Sequence, residues 1–242
     1  MARMPRMIAS IEGAEGSGKT DFSLRTTPRP LTFLDFDYGT EGVGGFDNDD
    51  LMKGVDLKQY DPFGPAYLQE DKDTAAKRAK PEIDRFLEEF RDAVRNKVRT
   101  LVVDTCTVAW AAQRLANPEK RYVEIEAEFH GLIRSCFISP HTNLLLLHHL
   151  KKDWMRTGEG KSFPSGSYSI DGMENVKTMV QLATRMTFYP PVIVNGNVLK
   201  KPKFETEILK ARDNNDMVGE IVDSPDFETL CCMVAPSVDW SK

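Results

Sequence analysis

Residues Gly13 to Thr20 read Gly-Ala-Glu-Gly-Ser-Gly-Lys-Thr and follow the apolar run Met7-Ile8-Ala9-Ser10-Ile11. A buried strand that runs straight into a glycine-rich turn and then a helix leaves few folds open. Successive N–H groups of such a turn converge on an anion, and the next helix presents its positive end to the same charge. Gly13, Ala14, Glu15, Gly16, Ser17, Gly18, Lys19 and Thr20 are therefore the nucleotide-binding set. Lys19 is placed to reach the β- and γ-phosphates and the Thr20 hydroxyl to ligate Mg²⁺. A chance glycine turn would not satisfy every position between an apolar run and the helical start Asp21-Phe22-Ser23-Leu24-Arg25. The pattern implies a chain that binds a nucleoside triphosphate, with ATP and Mg²⁺ as the expected ligands.

A chain of 242 residues can build one sizeable α/β core. Because the glycine loop comes so early, the expectation is a single domain over 1–242, with any further unit inserted or C-terminal. Cys106, Cys136, Cys231 and Cys232 show no Cys-x-x-Cys spacing, which predicts reduced thiols rather than a disulfide framework or a zinc site. No stretch approaches the roughly 20 apolar residues of a membrane span, and the Met-Ala-Arg-Met-Pro-Arg start lacks the apolar segment of a signal peptide. A cytoplasmic protein without a membrane partner is expected. The net charge of −5 disfavours a surface that coats nucleic acid indiscriminately, so any such contact needs a local basic patch.

Strands alternate with helices along the chain. Leu31 to Asp37 reads as a second strand that ends in acid, and Glu41 to Lys80, rich in Asp, Gly, Pro and Lys, as an irregular excursion over the surface. Pro81 is expected to open a helix in which Ile83, Phe86, Leu87, Phe90 and Val94 recur at helical spacing. Thr100 to Thr105 is a wholly apolar strand closed by Asp104, a helix runs from about Arg121 to Ile138, and Asn143 to His149 supplies another buried strand. Lys151 to Asn175 reads as a polar, basic loop, followed by a helix around Val176 to Leu182. Strands at Thr184 to Tyr189, Val192 to Leu199 and Phe204 to Leu209 follow, with Asn195-Gly196 turning a hairpin, and 210–242 is an acidic, poorly patterned tail. This order predicts a mainly parallel sheet whose strand C-termini share one edge.

Asp37, Asp104 and His148/His149 all fall at that edge beside the glycine loop. Asp104 is the candidate Mg²⁺ carboxylate, acting with Thr20, and its alternative role is a helix N-cap. Asp37 is the candidate general base that orients the attacking water, with Glu41 as competitor, turn formation as the bland alternative and Asp35 as a supporting carboxylate on the same strand face. His149, with His148 second, is a candidate sensor of the γ-phosphate. Lys19, Asp37, Asp104 and His149 together form the expected catalytic set.

These residues resemble the RecA-like ATPase core, and within it the small phage-encoded, core-only ATPases associated with single-strand annealing and recombination. Phe33-Leu34-Asp35-Phe36-Asp37 is similar to the strand that ends in a catalytic carboxylate, with Asp37 where the family usually has Glu. Leu101 to Thr105 matches the Walker B strand, and Leu147-His148-His149-Leu150-Lys151 falls where RecA has an Asn-Gln sensor and the phage proteins tend to have His. The likeness spans about Met7 to Leu209 and implies a three-layer α/β/α fold with a C-terminal β-hairpin. It also implies a DNA-binding loop after the sensor strand. Lys151, Lys152, Trp154, Arg156 and Lys161, with Phe163 and Tyr168, offer cations for phosphates and rings for unpaired bases, although a solvated loop would share that composition. Lys200, Lys201 and Lys203 stand near where RecA-like filaments place cations that reach a neighbouring subunit's ATP; a solubilising surface hairpin is the alternative.

The expected function is thus ATP hydrolysis, stimulated by single-stranded DNA, in phage recombination, annealing or replication. A homo-oligomer is expected, working beside a phage single-strand-binding or replication protein. A small-molecule kinase and a nucleotide-dependent assembly or annealing protein with negligible turnover are the alternatives. The kinase reading lacks an arginine-rich lid, since the glycine-containing loop carries only Arg156.

Overall fold

The computed structural model describes residues 6–44, 49–64, 70–156, 162–173, 175–194, 197–200 and 202–240. A central sheet is built from β1 (Ile8–Gly13), β2 (Leu31–Asp35), β3 (Val55–Gln59), β4 (Thr100–Asp104), β5 (Asn143–His148), β8 (Leu182–Tyr189), β11 (Lys203–Ala211) and β12 (Ile221–Asp223). Its order is β3-β2-β4-β5-β1-β8-β11-β12. The first six strands run parallel, and β11 and β12 close the sheet antiparallel. Two hairpins leave this sheet: β6 (Leu150–Arg156) with β7 (Ser162–Ile170), and β9 (Val192–Val194) with β10 (Asn197–Lys200).

The apolar strands serve two faces because successive side chains alternate. Leu101, Val103, Leu144 and Leu146 face a core built with α3 (Lys72–Arg95), α4 (Cys106–Ala116) and α5 (Tyr122–Ile138). Val102, Leu145, Leu147 and Ile11 face the opposite core, which Phe22 and Leu24 of α1 (Lys19–Thr26) and Phe227, Leu230 and Val234 of α7 (Phe227–Val234) cover. The three-layer α/β/α arrangement with a mainly parallel sheet and a hairpin near the C-terminus is as expected. The short helices α2 (Asp49–Met52) and α6 (Val176–Met179) complete the elements.

Several local expectations are corrected. Within Glu41 to Lys80 lie the end of a 3₁₀ turn (Gly39–Gly42), the short helix α2, the edge strand β3 and the first part of α3. That helix starts at Lys72, where the Asp71 carboxylate accepts the Thr74 N–H at 2.9 Å, and it carries Pro81 in its interior. Burial of Ala75, Ala76 and Ala79 holds the first turns, so packing overrides the proline signal. A helix absent from the sequence reading, α4, follows Asp104 directly. Lys151 to Asn175 is mostly the β6–β7 hairpin rather than a loop. The helix expected at Val176 to Leu182 stops at Met179, and Leu182 opens β8. The tail contributes β12 and α7, because four apolar residues of α7 complete the second core. The Asn195-Gly196 turn lies outside the described residues. No described helix is long and apolar enough to cross a membrane.

Candidate functional site

The glycine loop turns through two residues with positive φ, Gly16 at 72° and Gly18 at 87°, which side chains rarely adopt. Ser17 N–H donates to the Ala14 carbonyl at 3.2 Å, rounding the loop into a cradle. Lys19 lies inside it, almost fully buried, with Nζ donating to the Gly13 and Ala14 carbonyls at 3.0 and 2.9 Å and to Ser17 Oγ at 3.3 Å. Burial lowers the pKa of this ammonium, although Asp104, Asp37 and Glu15 pull it upward. The cation thus rests on loop oxygens that an incoming phosphate would replace.

Parallel pairing brings Asp35 of β2 level with Asp104 of β4. Thr20 Oγ1 donates to Asp104 Oδ2 at 2.6 Å, and carboxylate oxygens of Asp35, Asp37 and Asp104 lie within 4.8 Å of one another. A hydroxyl and a carboxylate in contact, beside further acidic oxygens, fit a hard divalent cation. Burial and the charge of Asp37 push Asp104 up to about 7.

Strand β2 ends at Asp35, two residues earlier than expected, so Asp37 does not share a strand face with it. Asp35 instead shapes the turn that carries Asp37. Fully buried, it accepts Thr40 Oγ1 at 2.6 Å on Oδ2 and Asp37 N–H at 3.3 Å on Oδ1. Burial holds its pKa above the ordinary carboxylate value. Asp37 Oδ2 faces His149 Nε2 at 3.4 Å. Burial raises the Asp37 pKa, but His149, the Gly39 N–H and Lys19 outweigh it and leave the pKa below normal. Glu41 is exposed on the 3₁₀ turn and is not among the residues lining the cleft. Of the two histidines, His149 lines the cleft, whereas His148 is buried in the sheet with neither ring nitrogen hydrogen-bonded among the described residues and its pKa lowered to about 3 by burial. The cleft has a volume of about 550 Å³ and gathers the glycine loop, Asp37, Asp104, His149 and Phe204.

Thr107, at the start of α4, went unnoticed in the sequence. Its Oγ1 accepts the His149 N–H at 3.0 Å and donates to the Asp171 carbonyl at 2.6 Å. It therefore joins the Asp104 side of the cleft to both feet of the β6–β7 hairpin. A second missed group is Glu12, fully buried one residue before the glycine loop, whose Oε1 accepts Arg185 Nε at 2.8 Å and whose Oε2 meets Lys177 Nζ at 2.6 Å. Arg185 also donates to the Tyr168 carbonyl of β7 at 3.3 Å. The contacts of Thr107 and Glu12 each span more than 40 residues, and nothing local in the sequence announces them.

Along the hairpin, Lys152 stands opposite Tyr168 and Trp154 opposite Pro164, with a bulge between the two pairs. Trp154 and Tyr168 are exposed. Between the two pairs Asp153 accepts the hydroxyls of Ser167 and Ser169 at 2.9 and 2.6 Å, so this acid is tied into a serine ladder. Lys151 lies opposite Ser169. Arg156 ends β6, and Lys161 lies outside the described residues. Of the three later lysines, Lys200 is exposed at the end of β10, Lys201 lies outside the described residues, and Lys203 is held at 2.8 Å by both Glu205 and Asp223.

A family model described as an AAA domain matches residues 6–201. No curated protein matches the chain. Among solved structures, the chain is similar to one titled "Crystal structure of the RadB recombinase", at 14% identity and a TM-score of 0.52, over 91% of this chain and 87% of that one. At that identity the likeness is one of fold.

Proposed function

The chain belongs to the AAA domain family, and from that premise we propose that it is a RecA-like ATPase that acts on single-stranded DNA in recombination, annealing or replication. The observation that carries the reading is one continuous set of contacts. Lys19 and the Thr20–Asp104 pair face the same cleft as the Asp37–His149 pair, and Thr107 bolts His149 to the feet of the hairpin. The fold shared with a RadB recombinase is in keeping with a role in recombination. The phage setting rests on the resemblance of the strand ends alone.

In this mechanism Lys19 leaves its carbonyl partners for the β- and γ-phosphates. Thr20 and Asp104 would hold Mg²⁺, which when bound supplies charge neutralisation at the phosphate oxygens. Asp37, kept ionised by His149 and Gly39, orients a water and accepts its proton as the water oxygen bonds to the γ-phosphorus. The bond to the bridging oxygen breaks, leaving ADP and phosphate. His149 exchanges its partnership between Asp37 and the γ-phosphate, and its backbone bond to Thr107 passes that choice to the hairpin. A second copy contributes a cation in trans, and Lys200 is the better placed candidate because Lys203 already has two carboxylate partners.

Hydrolysis measured over a protein concentration series, with and without single-stranded DNA, tests the reading. Turnover rises faster than protein concentration and is stimulated by DNA, and Lys19→Ala removes it. Lys152→Ala combined with Trp154→Ala raises the DNA concentration needed for half-maximal stimulation by about tenfold, the scale of one lost stacking contact. Turnover indifferent to both DNA and concentration rejects the assignment in favour of a kinase; ATP-dependent oligomers without phosphate release favour the assembly protein.

A further inference from the structure

The nucleotide cleft continues past the glycine loop. A second hollow of about 160 Å³ shares Gly18, Asp21 and Phe204 with it and extends along α1 to Arg25, Ser224 and Pro225. None of the strand-end carboxylates reaches this hollow. Thr20, Asp37 and Asp104, the residues of the expected γ-phosphate end, line the first cleft and not this hollow.

Phe204 is held against the loop. A Cβ on Gly18 would stand 2.3 Å from a carbon of its ring, so only glycine at that position lets the ring approach. The ring centroid lies 4.9 Å from that of Phe188. Met186 and Pro225 add apolar surface. The polar side chains lining the hollow are all engaged within the chain. Thr26 Oγ1 donates to the Phe22 carbonyl at 2.8 Å and Ser224 Oγ to the Phe204 carbonyl at 3.3 Å. Arg25 donates to Asp21 at 2.7 Å and to the Gly44 carbonyl.

We infer that this hollow receives the purine of the nucleoside triphosphate by contact with the Phe204 ring and leaves the hydrogen-bonding edges of the base unread, so that adenine and guanine nucleotides bind almost equally. Strong discrimination between bases needs protein groups that go unpaired with the wrong one, and apolar contact alone separates ligands far less. The phosphate grip then supplies most of the affinity and Phe204 a base-tolerant increment. The inference rests on the proposed triphosphate reading and adds to it which bases are accepted.

Calorimetric titration with non-hydrolysable ATP and GTP analogues and with inorganic tripolyphosphate, all with Mg²⁺, tests it on the unsubstituted chain, Phe204→Leu and Phe204→Tyr. Leucine keeps apolar volume beside Gly18 and removes the ring face; tyrosine keeps the face. ATP and GTP analogues bind within about fivefold of each other. Phe204→Leu weakens both by about tenfold and leaves tripolyphosphate unchanged, and Phe204→Tyr restores both. A purine preference beyond about a hundredfold overturns the inference. So does a Phe204→Leu variant that binds nucleotides as before, or one that loses tripolyphosphate equally. Failure of the unsubstituted chain to bind any of the three ligands instead overturns the triphosphate reading, and the inference falls with it.

Discussion

At the scale of single residues, the site stores its electrostatic tension in Asp104. Its carboxyl is almost completely buried and faces Asp37 and Asp35, while Thr20 and Lys19 favour the charged form. The folded pKa of about 7 lies above the ordinary value of 3.8, so without ligand the folded state holds a proton that the unfolded state has released. That contribution to stability is fully present below about pH 4 and is lost as pH rises through 7. Asp104→Asn removes the titration. The ligand-free variant is expected to match the parent near pH 5 and to exceed it by about 2–4 kcal/mol near pH 8, as urea unfolding would record. It would also fail to hydrolyse ATP. Parallel stability profiles for the two proteins would reject the assignment. Asp37 behaves in the opposite sense: its lowered pKa contributes stability above about pH 4 that is lost as pH falls. These two carboxylates were legible in the sequence because each ends an apolar run. The division of labour between them was not, since it depends on which one the fold buries.

The elements divide into those whose boundaries are local and those set by packing. The glycine loop, β4 and β5 could be read directly, because a buried parallel strand must be apolar along its whole length. Helix α3 could not. Pro81 is exposed in its interior and lacks the N–H that would bond the carbonyl one turn back, which on local grounds marks a start. The turns before it are held by Asp71 and by buried alanines. Pro81→Ala should therefore restore a helical hydrogen bond without loss of packing and raise stability by about 1–3 kcal/mol, measured as the shift in urea midpoint. A neutral or destabilising result would mean that the proline-bearing turn departs from regular helix. The β6–β7 hairpin was missed for a related reason. Its polar and glycine-containing sequence has the composition of a loop, and the serine ladder on Asp153 that orders one face is a cross-strand arrangement.

At the scale of the whole molecule, the C-terminal segment closes the second core. Leu230 is buried among the residues that also pack Phe22 and Leu24 of α1, so the helix that carries Lys19 and Thr20 leans on the end of the chain. Leu230→Ala is expected to cost about 2–5 kcal/mol, and guanidinium unfolding would measure it. Nucleotide affinity should fall with it if α1 loses its backing; loss of stability with unchanged affinity would show that the loop is positioned by the sheet alone. The apolar periodicity and the glycine loop by themselves determined the α/β class, the parallel sheet, the phosphate cradle and the candidacy of Asp37, Asp104 and His149, because strand burial and phosphate binding impose strict local patterns. Only the tertiary structure decided that Asp35 braces the turn of Asp37, that Thr107 joins His149 to the hairpin, that Glu12 is clamped by Arg185 and Lys177, and that Phe204 stands over Gly18. The brace depends on where β2 ends, which burial and pairing set; the other three depend on side chains brought together by sheet order and crossover connections, between partners too far apart in the chain for any local pattern to record.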